Sequence, residues 1–112
     1  MGLDFSHSDA HWSYSGFNRF RKRLAACLGL NLDEMQGFGG ENPWPNDVFC
    51  QHFMYHSDCD GDIQPKYCQE IADKLRDLVK HWPDDDFDKS QALMLADGLE
   101  GCADDGEAME FC

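Results

Sequence analysis

The sequence has little positive charge: Lys and Arg supply 9 of its 112 residues against 22 Asp and Glu, for a formal net charge of −13. A protein that grips phosphate backbones needs a basic footprint, so direct nucleic-acid binding is excluded over most of the surface. No apolar run approaches the roughly 20 residues of a membrane-spanning helix, and no membrane partner is expected. The opening MGLDFSHSDAHW lacks the basic segment and apolar stretch of a secretory signal, so the expected compartment is the cytoplasm. Close cysteine pairs are lacking too. The six cysteines are spread singly, which favours free thiols over a disulfide framework. Cys27, Cys68 and Cys102 fall on expected apolar helix faces, where a thiol behaves as a small hydrophobe.

What is there suits one core. A chain of 112 residues with 42% hydrophobic content builds a single domain over 1–112 and is too apolar to be a disordered acidic tail. Its charge is uneven: residues 1–30 hold four basic and two acidic groups, whereas 84–112 hold one and ten. Attraction to a basic partner protein is the expectation, with solubility as the plainer use of the same charge.

The patterning predicts an α+β fold, a mostly helical domain with a small terminal antiparallel sheet. GLDFSH suits a short opening strand, and EAMEFC alternates as a closing strand that pairs with it. In SGFNRFRKRLAACLGL, Ser15 is a candidate N-cap and Phe17, Phe20, Leu24 and Leu28 recur at helical spacing, with Arg19, Arg21, Lys22 and Arg23 around that stripe. The Gly- and Pro-containing stretch 33–47 reads as a loop pinned by Phe38 and Trp44. NDVFCQHFMYH fits a short helix capped by Asn46 or Asp47, or a buried strand. PKYCQEIADKLRDLVKHW opens with Pro65 at a first helical position and carries one apolar face, Cys68 to Trp82, stopped by Pro83. In the last helix Asp88 and Gln91 match a capping box, and Gly98 and Gly101 imply a kink or close contact with neighbouring backbone.

Three segments carry candidate chemistry. In YHSDCDGDIQPKYC, setting Gly61 as the turn glycine of a calcium loop places Asp58 and Asp60 at its third and fifth positions. The first is then His56 and the twelfth Tyr67, where carboxylates are wanted. Zinc is the other option: His52, His56, Cys59 and Cys68 could make a tetrahedral set. The candidate metal residues are thus His52, His56, Asp58, Cys59 and Asp60, set against a turn in which Asp58 and Asp60 bond to backbone amides. No other cofactor is expected. His56 with Asp58 or Asp60 also suits a base and its orienting acid, but no nucleophile stands near them in sequence. The second segment, SHSDAHWSYSGFNRFR, gathers His11, Trp12, Tyr14, Asn18 and Arg19 before and into a helix, a setting that binds phosphates. The third is the acidic C-terminal third, with Asp84, Asp85, Asp86, Asp88, Asp104, Asp105 and Glu107.

With MGLDFSH, WSYSGFNRFR, HSDCDGDI and GLEGCADDGEAMEFC, the chain resembles a family of small proteins encoded by bacteriophages and prophages, over most of its length. The resemblance implies origin and carries no activity onto residues. A small acidic phage protein is expected to bind and disable a host protein. The leading expectation is an anti-CRISPR or anti-restriction inhibitor whose acidic residues, gathered at one end, occupy a basic groove made for nucleic acid. The alternatives are sequestration of a small phosphorylated or nucleotide signal, in a pocket shared by the 12–19 region and the 56–62 turn, and a metal-binding module or enzyme at 52–62.

Overall fold

A computed structural model describes residues 2–112. Its regular elements, in chain order, are β1 (Leu3–Phe5), β2 (Ser8–Trp12), α1 (Tyr14–Cys27), a 3₁₀ turn (Leu32–Glu34), a π-helical turn (Cys50–Met54), β3 (Asp62–Ile63), α2 (Pro65–Val79), α3 (Phe87–Asp105) and β4 (Met109–Glu110). The fold is α+β and mostly helical. No helix among the described residues is long and apolar enough to cross a membrane.

The strands pair in two antiparallel ribbons, β1 with β2 and β3 with β4. The closing segment joins them. Phe5 bridges to Phe111, Cys112 N–H donates to Asp4 O at 2.9 Å, and Phe111 N–H donates to Gly61 O at 2.9 Å. The last residues thus lie between β1 and β3, and both ends of the chain meet as expected. The expected pairing of the closing segment with the opening one is present, through that bridge, the reciprocal bonds of Asp4 and Cys112 and the Ser6 N–H bond to Glu110 O at 3.0 Å, and β4 pairs in addition with β3.

Helix α2 forms where Pro65 presets the first turn. It buries Cys68, Ile71, Ala72, Leu75 and Val79 against Ala92, Leu95, Ala96, Leu99 and Cys102 of α3. The other face of α3 carries β2. Ser8 Oγ donates to Met94 O at 3.0 Å, and His11 N–H donates to the Gln91 side chain at 2.8 Å. Gly98 lets the strand lie flat on the helix, since a Cβ there would stand 2.4 Å from His7 O. Gly101 has no such neighbour within 4 Å.

Helix starts differ from the sequence expectation. Ser13, not Ser15, caps α1, its Oγ accepting from Gly16 N–H at 3.0 Å. Asp86, not Asp88, caps α3, accepting from Lys89 N–H at 3.1 Å. The Asp88–Gln91 box does not form because both side chains turn to β2, where Trp12 Nε1–H donates to Asp88 Oδ1 at 3.0 Å. Cys27 is exposed at the end of α1, contrary to the packing expected of it, while Cys68 and Cys102 are buried.

Candidate functional site: a buried guanidinium under the 55–58 turn

The stripe along α1 runs Phe17, Phe20, Arg21, Leu24 and Ala25. That is the i, i+3, i+4, i+7, i+8 rhythm of a core-facing helix, with an arginine in one of its slots. Arg21 is 3% exposed. Its guanidinium lies over the Phe17 ring at 4.6 Å and the Phe38 ring at 4.9 Å.

A turn of unusual width meets it. Asp47 Oδ1 accepts from Cys50 N–H at 2.9 Å and starts a π-helical turn, which ends where Tyr55 N–H donates to Cys50 O. The π turn settles the helix-or-strand alternative for this segment in favour of helix. Carbonyls past the end of such a turn have no helical partner. Two of them face Arg21: Nη1 donates to Met54 O at 3.0 Å and to His56 O at 2.6 Å. Nε is buried and has no hydrogen-bond partner, and no carboxylate among the described residues lies within ion-pair distance. Burial pulls the guanidinium down to about 10, with the charge of Asp58 opposing.

Above Arg21 opens a cavity of about 350 Å³. Gly37 and Phe38 form one side and Tyr55 another. His56, Ser57 and Asp58 cross the rim, and Asn18 reaches in from α1. The turn is held by its own groups. The His56 ring nitrogens lie 2.7 Å from Ser57 O and 2.9 Å from Asp62 O, and the ring packs on Phe111 at 4.1 Å. Ser57 Oγ accepts from Cys59 N–H, and Gly61 supplies the left-handed φ of 88° that closes the loop. These bonds replace the backbone bonding expected of Asp58 and Asp60.

The candidate residues fall as follows. His52 stacks on Tyr67 at 3.8 Å, away from His56. The thiol of Cys68 is buried and bonded to the carbonyls of Ile63 and Gln64. Among the described residues no three His, Cys, Asp or Glu side chains gather where they could hold a metal ion, so the set His52, His56, Asp58, Cys59 and Asp60 is not brought together. Nor is the set His11, Trp12, Tyr14, Asn18 and Arg19. His11 lies beside Asp4, Trp12 is in the core, and Tyr14 and Arg19 face solvent. Asn18 alone of them lines the cavity. The cavity brings the end of the SHSDAHWSYSGFNRFR segment, through Asn18 and Arg21, to residues 55–58 instead.

The acidic residues are divided. Asp84, Asp85, Asp86 and Asp88 stand at the start of α3 and Asp104, Asp105 and Glu107 at its end. Those ends lie about 28 Å apart at 1.5 Å per residue. Asp86 and Asp88 are bound by Arg23, whose Nη2 donates to Asp86 Oδ2 and Nη1 to Asp88 Oδ2, each at 2.9 Å. Asp84 pairs with Lys89 at 2.8 Å and Glu107 lies 2.7 Å from the His7 ring. Asp85, Asp104 and Asp105 have no ion-pair partner among the described residues. The expected gathering at one end is therefore corrected, because α3 holds the two groups apart.

Comparison with protein-family models, with curated proteins and with solved structures finds no match for this chain.

Proposed function

We propose that the protein captures a small phosphorylated ligand in the cavity above Arg21. The supporting observation is the guanidinium itself, 3% exposed, with an unpartnered Nε and no carboxylate within ion-pair distance among the described residues. Taking a charge out of water costs several kcal/mol unless a counter-charge and hydrogen bonds offset it. Two carbonyls offset part of that cost here. An oxyanion entering the cavity supplies the missing charge and accepts from the free edge of the guanidinium, whose planar fork matches a phosphate. A larger groove of about 500 Å³, bordered by Leu28, Phe49 and Asp73, contains no such unsatisfied group.

Thermal melting of the full chain with inorganic phosphate and a panel of phosphorylated metabolites tests this. A ligand at a hundredfold excess over its Kd adds about 2.7 kcal/mol and raises the melting temperature by several degrees. Arg21→Gln is expected to abolish the rise. A wild-type protein whose melting ignores every phosphate compound defeats the proposal.

A second reading keeps the basic host protein as partner, as in an inhibitor of a nucleic-acid-directed defence protein. What favours it is that Lys22, Arg23, Arg76, Lys80 and Lys89 all pair with this chain's own acids, leaving the outward field negative. Its contact residues would be Asp85, Asp104 and Asp105. Under this reading the protein displaces DNA from a restriction nuclease or CRISPR effector, and Asp104→Asn with Asp105→Asn weakens that displacement. Undiminished displacement by the double variant removes these residues from the interface.

A further inference from the structure

Resting on the phosphate-capture reading, we infer that the ligand is a nucleoside monophosphate, with its phosphate on Arg21 and its base against Tyr55. The charge count sets the number of phosphates. Arg21 is the one guanidinium lining the cavity, and Asp58 stands on the same rim. A single phosphate, at about −1.5 to −2 near pH 7, is the smallest phosphate load that one cation can take up. A di- or triphosphate brings further negative charge against Asp58 and a chain already at −13. Nη2 of Arg21 makes no hydrogen bond with the described residues and is left to donate to an oxygen of one phosphate.

The walls set what carries the phosphate. Tyr55 is a large ring left 45% exposed at the cavity. It is not loose: it stacks on Trp44 at 6.3 Å and 25°, and Trp44 is held by its Nε1–H donating to Gln36 O at 3.0 Å. Gly37 packs against the same ring, where a Cβ would approach to 2.7 Å. A fixed, accessible aromatic face is a stacking platform for a flat base. Asn18, Ser57 and Asp58 line the same cavity as the guanidinium and the ring. Asp58 accepts hydrogen bonds and so fits the hydroxyls of a sugar. A volume of about 350 Å³ is near the lower end for small-ligand pockets, which suits a mononucleotide. An oligonucleotide meets the repulsion of the whole acidic surface.

Calorimetric titration of the full chain tests the inference with AMP, GMP, CMP, UMP, ribose 5-phosphate, inorganic phosphate, adenosine and a short oligoadenylate. At least one nucleoside monophosphate is expected to bind roughly tenfold or more tighter than ribose 5-phosphate, the scale of one stacking contact. Tyr55→Ala should erase that margin while inorganic phosphate binds unchanged. Arg21→Gln should lose every phosphate compound, and Arg21→Lys, which keeps the charge but not the fork, should weaken them if Arg21→Gln does not fold. Equal binding of ribose 5-phosphate and all four monophosphates, or tighter binding of the oligomer, overturns the nucleotide assignment and leaves phosphate capture standing. No binding of any phosphate compound to the wild type overturns both.

Discussion

At Arg21 a full positive charge rests on two phenyl rings, and its pKa is drawn from the ordinary 12.5 to about 10. A base with a depressed folded pKa is disfavoured in the folded state wherever it is charged. The whole penalty is present below about 10, and it is relieved as pH rises from there towards 12.5, where the unfolded chain still binds the proton. Arg21→Met keeps an unbranched stem and removes the charge, at the loss of two hydrogen bonds to carbonyls. Its stability relative to wild type should therefore be greatest below about pH 10 and decline above it, as measured by paired denaturant titrations. The residue was legible in the sequence: Arg21 stands four after Phe17 and three before Leu24, on the stripe. Placing it with Arg19, Lys22 and Arg23 around the stripe gives its charge precedence over its position.

The cysteines give a second residue-scale test. Burial raises the thiol of Cys50 to about 12 and that of Cys68 to about 11, and raises Cys102 as well. Cys27, Cys59 and Cys112 are exposed. Since the thiolate is the reactive form, a thiol reagent at pH 8 should modify these three quickly in the native protein and all six after denaturation. Rapid reaction of Cys68 or Cys102 would show the α2–α3 packing to be open, and rapid reaction of Cys50 would show the same of the π-helical turn.

Among the elements, α3 carries contrasting glycines. A Cβ at Gly98 would stand 2.4 Å from His7 O and 2.8 Å from Ser8 Cβ, backbone and a strand that cannot swing aside. Gly98→Ala should therefore destabilise by about 1–3 kcal/mol or more, as overpacking does. At Gly101 nothing lies within 4 Å, so Gly101→Ala should gain up to about 1 kcal/mol from helix propensity. Urea midpoints measure both. At the start of α3, the hydrogen bond from Arg23 holds the Asp86 carboxyl below its ordinary value of 3.8. A depressed carboxyl contributes stability that is complete above about pH 3.8 and is lost as pH falls through the lower folded value. Asp86→Asn should flatten that acid limb. Helix α2 was legible because Pro65 and an unbroken apolar stripe agree. The five residues of β2 and the two of β3 are too short for period to identify, and the π turn, closed by bonds five residues apart, has a longer repeat than the α-helix. The cap of α3 was misplaced by two residues because Asp86 and Asp88 are equivalent in sequence. Trp12, 76 positions away, decides which of them is drawn to β2.

For the whole molecule, no local pattern reveals that the acidic triplet 84–86 and the pair 104–105 occupy opposite ends of one helix, or that α1 supplies the arginine that binds two of them. Nor does it reveal that Asn18, Phe38 and Tyr55 share a cavity, since only the folded turn at 55–58 brings them together. The net charge of −13 within a radius of gyration of 13.0 Å puts self-repulsion in competition with the ion pairs. Exposed pairs contribute roughly 0–1 kcal/mol each, and salt screens both effects, with a Debye length falling from about 30 Å at 0.01 M to about 3 Å at 1 M. Unpaired acids are the more numerous, so repulsion should win and the melting temperature at pH 7 should rise with NaCl. A fall would mean that the Arg23 and Arg76 networks outweigh the net charge. Sulfate at matched ionic strength adds two further effects, exclusion from the surface, which acts on any variant, and occupancy of the cavity, which requires Arg21. The excess of sulfate over chloride should therefore be larger in the wild type than in Arg21→Met. Equal excesses would leave exclusion as its whole cause and the cavity without an affinity for sulfate.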